Sequence, residues 1–292
     1  MKTLYKPLIS VVVAVICLGL AGCGSHKKAV GPSTAPEIRK ERVLSDDFRR
    51  LAGSYTPWSN VSMPVKVRLT APKRVSLSGS LNMEYDKALE LNLRMLFMDA
   101  LTVYADNVSL IVLSKPLDIY YMTSMESFTD ETGLDLRDLQ SLLLGQMFRP
   151  GSGTVTPSAL ESFNLSSDLS NAGDIVSMDV RQRNGMAGVD WFFRTIVSST
   201  DNEAIPHLSL LDINVSSVHV QCAFSDYFTS EAGEVAGNID ISGKMKAHEI
   251  TASLISDPAR AKWNRGTGIR EPKIPEGMRR MTTEQIFRIL KK

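Results

Sequence analysis

The chain of 292 residues is poor in groups that carry chemistry. It has no G-x-S-x-G elbow, no glycine-rich phosphate loop, no H-E-x-x-H helix and no C-x-x-C pair, which leaves no motif for a serine hydrolase, a nucleotide-binding protein, a zinc peptidase or a thiol oxidoreductase. Its four histidines, His26, His207, His219 and His248, stand at no metal-ligand spacing, so neither metal nor cofactor is expected. Neighbouring carboxylates such as Asp130 and Glu131 read as solvated charge in a turn rather than as an acid–base pair. An excess of one charge is missing as well. Thirty-three basic residues against 32 acidic ones leave +1, scattered rather than striped, which argues against nucleic acid as a partner. Of three cysteines, Cys17 lies in an N-terminal apolar run and Cys23 just after it. Cys222 is left alone among Val218, Val220 and Phe224, so no internal disulfide is available and burial as a small hydrophobe is expected.

What is present begins at the N-terminus. Lys2 and Lys6 precede an apolar run from Leu8 to Leu20 that is too short for a good membrane span and reads as a secretory signal. The run closes on Leu20-Ala21-Gly22-Cys23, which resembles a bacterial lipobox. That resemblance implies cleavage before Cys23 and acylation of Cys23 (palmitate among its chains), hence a lipid anchor strong enough to hold the protein at a membrane. Gly24 follows the cysteine and no acidic export signal appears in Ser25-His26-Lys27-Lys28, so the expected place is the outer membrane, facing the periplasm. The organisation read from composition is a signal peptide over 1–22, a Ser/Lys/Pro/Ala-rich tether over 23–41, one domain over 42–255 and an extension over 256–292 ending in a helix from Thr283 to Leu290.

The domain is written mostly in period two. A short helix from Ser45 to Tyr55, capped by Ser45, leads into a strand in which Val61, Met63, Val65, Val67 and Leu69 alternate with polar residues; Pro64 places this strand at an edge or on a bulge. Val75, Leu77, Leu81 and Met83 form the next stripe, with Gly79 where a sheet can bend, and Leu89, Leu91, Leu93 and Met95 the third. Further strands follow at Val108–Leu113, Val176–Val180 with Asn184-Gly185 as a hairpin turn, Leu208–Ile213, Val215–Phe224, Val235–Ile241 and His248–Leu254. Between them Asp135, with acidic Asp138 three residues on as a weakened capping box, starts a helix whose stripe is Leu136, Leu139, Leu142 and Leu143 and whose end is Gly145. About a dozen strands with few helices predict a mainly β, antiparallel fold with helical additions. The strand and helix stripes share a face, so Leu77, Leu81, Leu91, Leu93, Leu139, Leu142 and Leu143 are expected to line one cavity between sheet and helix. A core filled without a cavity is the competing expectation.

The lipobox, the strand meander and the segment Thr132-Gly133-Leu134-Asp135-Leu136 with Leu139-Gln140-Ser141-Leu142-Leu143-Leu144-Gly145 resemble the DUF4292 lipoproteins of Bacteroidota, which are similar to the lipoprotein receptor LolB and carrier LolA. This resemblance implies a curved antiparallel half-barrel, its concave apolar face covered by short helices and accepting lipid or lipoprotein acyl chains. The implied protein is a monomer rather than an enzyme, at work in lipid or lipoprotein trafficking. An envelope enzyme acting on lipid or glycan, or a structural lipoprotein with a filled core, is the alternative. The chain departs from the family where a Leu-Gly pair is common, having Leu96-Phe97-Met98-Asp99 instead. Two readings of that stretch stay open. Either the strand runs on through a bulge at Asp99-Ala100 and buries Phe97 beside Leu93 and Met95, or Leu96, Phe97 and Met98 are exposed at a turn and contact a membrane.

Overall fold

The computed structural model describes residues 37–71, 74–168, 175–183, 189–198, 205–215, 218–245, 248–282 and 285. Cys23, the Asn184-Gly185 turn and all but one residue of the expected terminal helix lie outside the described residues.

From α1 (Glu37–Gly53) the chain enters a meander of β1 (Asn60–Ala71), β2 (Val75–Glu84), β3 (Ala88–Met95), β4 (Met98–Asp106), β5 (Ser109–Ser114) and β6 (Ile119–Ser124). Two helices follow, α2 (Met125–Thr132) and α3 (Leu136–Leu143), then the small pair β7 (Phe148–Arg149) and β8 (Gly153–Thr154). A second meander comprises β9 (Phe163–Asp168), β10 (Ile175–Gln182), β11 (Val189–Ser198), β12 (His207–Val215) and β13 (Val218–Ser225). After the pair β14 (Phe228–Ser230) and β15 (Gly233–Val235) it resumes with β16 (Asn238–Met245) and β17 (His248–Ser256). The short β18 (Lys262–Trp263) and β19 (Arg279–Arg280) end the described fold.

One large sheet takes all but the two small pairs, in the order β19-β6-β5-β4-β3-β2-β1-β17-β16-β13-β12-β11-β10-β9, with β18 beside β1. Every pairing in it is antiparallel except β19 with β6. The two meanders are joined where β1 meets β17, Val65 opposite Ser256. The alternation of each strand sends Val61, Met63, Val65, Val67 and Leu69, then Leu77, Leu81 and Met83, then Leu89, Leu91 and Leu93 to one face, where they form a single core with Phe48 and Leu51 of α1 and with Leu136 and Leu142 of α3.

Pro64 sits in the interior of the sheet rather than at an edge. Its carbonyl accepts the Asp257 N–H on the side where β17 hands over to β18, so the donor that proline lacks falls in the gap between two partner strands. The bulge in β1 lies further on, between Leu69 and Ala71. Gly79, opposite Leu93, allows an approach no other residue would, since an added Cβ would stand 1.7 Å from the Asn92 carbonyl oxygen. Helix α1 starts at Glu37, well before the expected Ser45 cap, and Ser45 is inside it. Asp130 and Glu131 belong to α2, not to a turn; Ser124 caps that helix by accepting the Ser127 N–H.

The stretch after Asp257 is integrated into the fold. Trp263 is buried against Trp58 with ring centres 6.0 Å apart, and Ile269, Ile274 and Met278 cover Tyr104, Ile111 and Leu113 on the other face of β4 and β5. Every residue of β5 is buried because both faces of that strand are covered, which explains the unbroken apolar run from Leu110 to Leu113.

Candidate functional site

Helix α3 is held by its polar residues. Asp135 accepts the Asp138 N–H at 2.9 Å and Asp138 accepts the Asp135 N–H at 3.0 Å, a complete reciprocal cap. Asp138 is fully buried and also accepts from Gly151 N–H at 2.6 Å and Gly153 N–H at 2.8 Å, which ties the loop between β7 and β8 to the helix. Burial dominates over these three N–H donors and pushes its carboxyl up to about 6. Gln140, also fully buried, donates from Nε2 to the carbonyls of Glu84 at 2.8 Å and Ala88 at 3.1 Å and accepts the Asp86 N–H at 3.0 Å, so the turn between β2 and β3 is fastened to the same helix. Ser141 caps the carbonyl of Arg137 at 2.8 Å. Gly145 ends the segment at φ +66°, where a Cβ would lie 2.4 Å from the Ala236 side chain.

Within the leucine stripe of α3, Leu136 and Leu142 are fully buried and the other two are not. Leu139 and Leu143 are only half-buried, although the polar Asp138, Gln140 and Ser141 beside them are sealed in protein. The reason is a part-enclosed cavity of about 90 Å³ in front of the leucines. From α3 it is lined by Leu139, Leu142 and Leu143 and from α2 by Phe128. The sheet contributes Leu89, Leu91 and Leu93 of β3, Val103 of β4, Leu110 of β5 and Val67 of β1, with residues of β16 and β17 closing the far side. Ser253 alone among the lining residues is polar, and its hydroxyl is donated to the exposed Asp240. The cavity therefore offers no free side-chain hydrogen bond. The side chains of such a wall have nothing with which to hold an ordered water.

Of the leucines expected to share a cavity, the structure brings Leu91, Leu93, Leu139, Leu142 and Leu143 to its wall. Leu77 and Leu81 of β2 are fully buried in the adjoining core and are not among the lining residues. Sequence reasoning missed Phe128 because α2 has too short a stripe to stand out. It gave Gln140 no role, and it gave Asp138 none beyond the cap it shares with Asp135, which the structure bears out.

Beyond Leu93 the strand ends in a two-residue turn, Leu96-Phe97, with Met95 opposite Met98. Leu96 is 87% exposed, Phe97 98% and Met98 59%. Leu96 adopts φ +57°, a left-handed conformation that glycine prefers at the first position of such a hairpin. A bulge does fall at Ala100, the extra residue between Asp99 opposite Arg94 and Leu101 opposite Leu93, but β3 turns before it and does not carry Phe97 into the core.

Elsewhere the titratable groups are tied into packing. Cys222 is fully buried, and burial pushes its thiol up to about 12, far from reactive. Tyr227 donates to carbonyl oxygens in its surroundings and stacks on His207 with ring centres 4.6 Å apart. Among the described residues no cluster of His, Cys, Asp or Glu could hold a metal ion, and no helix is long and apolar enough to cross a membrane.

No protein-family model matches the chain, and no curated protein matches it. Solved structures do resemble it, among them the following three. An outer-membrane lipoprotein-sorting protein domain from Vibrio parahaemolyticus aligns at a TM-score of 0.45 and 9% identity, over 79% of this chain and 95% of the other. A LolA superfamily protein from Nitrosomonas europaea aligns at 0.42 and 9%, over 76% and 92%. A DUF1329 family protein from Desulfovibrio piger aligns at 0.43 and 7%, over 78% and 94%. These are likenesses of outline, and none of them assigns the cavity a ligand.

Proposed function

We propose that this protein is a lipid-anchored, non-enzymatic protein of the outer membrane that faces the periplasm and holds acyl chains, of lipid or of lipoprotein, in the cavity under α3. The observation that carries the reading is the cavity under that helix: Asp138, Gln140 and Ser141 are bonded into the protein while Leu139 and Leu143 stand half-buried against empty space. A water-sized group takes on the order of 10–15 Å³ of such space. The cavity of about 90 Å³ thus admits several methylenes, each gaining about 0.8 kcal/mol on burial. A site meant to hydrolyse a lipid or glycan needs polar groups converging on the reacting atom, and the wall supplies none.

The same cavity supports a half-barrel. Residues of β5 and β16 line it together although six strand spacings separate them, roughly 29 Å in a flat sheet, so the sheet curls around the site. Leu96, Phe97 and Met98, beyond the cavity residue Leu93 on the same hairpin, form the contact with the bilayer from which a chain enters. Cys23 carries the anchor that keeps the domain within reach of that surface.

Mass spectrometry of material extracted from the purified protein tests the proposal. Acyl-chain lipids at near-stoichiometric amounts are expected. A protein that carries none, and that takes up none from labelled vesicles, would leave the cavity without this role.

A further inference from the structure

The hairpin tip is collared by charge. Arg94 and Asp99 face each other across β3 and β4, one pair below Met95 and Met98, and Arg94 Nε donates to Asp99 Oδ1 at 3.1 Å. Lys115, from the turn after β5, donates from Nζ to Oδ2 of the same carboxylate at 2.9 Å. All three side chains are substantially exposed, at 67%, 46% and 57% for Arg94, Asp99 and Lys115. One carboxylate against two cations leaves the collar positive. Exposed Arg74, just before β2, adds to it: the register that sets Ser78 opposite Arg94 brings the start of β2 alongside the tip.

The spacing matches a bilayer surface. Arg94 lies two to three residues from the tip, roughly 7–10 Å at the rise of a strand. Apolar side chains that enter the boundary between headgroups and acyl chains reach about 5–10 Å. With Leu96 and Phe97 at that depth, the guanidinium and ammonium groups stand level with the lipid phosphates.

We propose that Arg94 and Lys115 make the hairpin selective for bilayers carrying anionic phospholipid headgroups. This rests on the reading of the hairpin as the membrane contact and adds the chemistry of the surface it prefers. Asp99 holds the two cations in place until lipid phosphate takes over part of its role, and the attraction falls with salt as exposed charge is screened.

The test is sedimentation of the chain from Gly24 onward, which contains every described element, with vesicles of phosphatidylcholine alone or mixed with phosphatidylglycerol. The parent is expected to bind the anionic vesicles more tightly, and more so at low salt. Arg94→Gln with Lys115→Gln is expected to weaken anionic binding by roughly fivefold per cation while leaving the neutral vesicles and the thermal midpoint as they were. The exchange Arg94→Lys with Lys115→Arg should restore the preference. Phe97→Ser with Met98→Ser should weaken binding to both kinds of vesicle. Equal binding of the parent to both, or a preference that survives the double glutamine variant, overturns the collar but leaves the hairpin contact standing. Unchanged binding by the serine variant overturns the contact itself.

Discussion

Asp138 accepts the backbone N–H of Gly153 at 2.8 Å inside the protein, with no cation against it. This buried carboxyl joins the helix over the cavity to the loop beneath it, and burial pushes its pKa up to about 6.

The pH dependence has a definite sign. The folded group keeps its proton up to about 6, whereas an unfolded aspartate releases it near 4, so between those values the folded chain binds more protons. The stability contributed by the protonated group is full below about pH 4 and is lost as pH rises through 6, on the order of 3 kcal/mol over the window. Asp138→Asn is expected to remove that slope from a plot of thermal midpoint against pH. An unaltered slope in the variant would assign the titration to another group.

Leu91 sits on the cavity floor, and enlarging it should fill space that a ligand uses. Leu91→Trp is expected to lower uptake of a fluorescent fatty acid at least tenfold, while costing about 1–3 kcal/mol or less in stability because the added ring enters a void. Equal uptake by variant and parent would count against the cavity as the binding site.

Leu96 bears a left-handed backbone without being glycine, a strain of about 1–2 kcal/mol. Leu96→Gly relieves it at an entropic cost of about 0.5–1 kcal/mol. The variant should therefore melt no lower than the parent, and by up to a few degrees higher, yet bind vesicles more weakly for want of an exposed leucine. A lower midpoint with unchanged binding would mean that Leu96 serves the fold and not the surface.

Cys23→Ala should release the protein from the membrane fraction into the soluble periplasm. Retention of the variant with membranes, as for the parent, would rule out acylation of this cysteine as the anchor.

Much of the frame was legible in the chain. The alternation from Leu89 to Met95 set β3 and its inward face, and Asp135 with the leucines after it marked α3, because both signals are local. Pro64 misled because a proline is tolerated wherever its partner side is interrupted, and the gap between β17 and β18 depends on residues nearly 200 positions away. Helix α1 began early because Glu37-Ile38-Arg39-Lys40-Glu41 are adequate helix formers beside a proline-rich stretch. Gln140, and the burial of Asp138 beyond its part in the cap, were opaque for a related reason. Only the fold reveals that Asp138, Gln140 and Ser141 are sealed in protein while Leu139 and Leu143 stand half-buried against a void. Leu96, Phe97 and Met98 left two readings open, which the register of Met95 with Met98 separates.

The seam between β1 and β17 governs how the chain comes to its fold. Val65 and Ser256 are about 190 residues apart, and closing a loop of that length in an otherwise unstructured chain costs about 5 kcal/mol before any contact repays it. The first meander can form hairpins as soon as β1 and β2 are available, but its leading strand lacks a partner on one side until nearly the whole described chain is present. Until then the edge of β1 is open to strands of other chains, so completion is slow and dilution-sensitive, and a truncation before β17 yields an aggregating sheet in place of a smaller stable one.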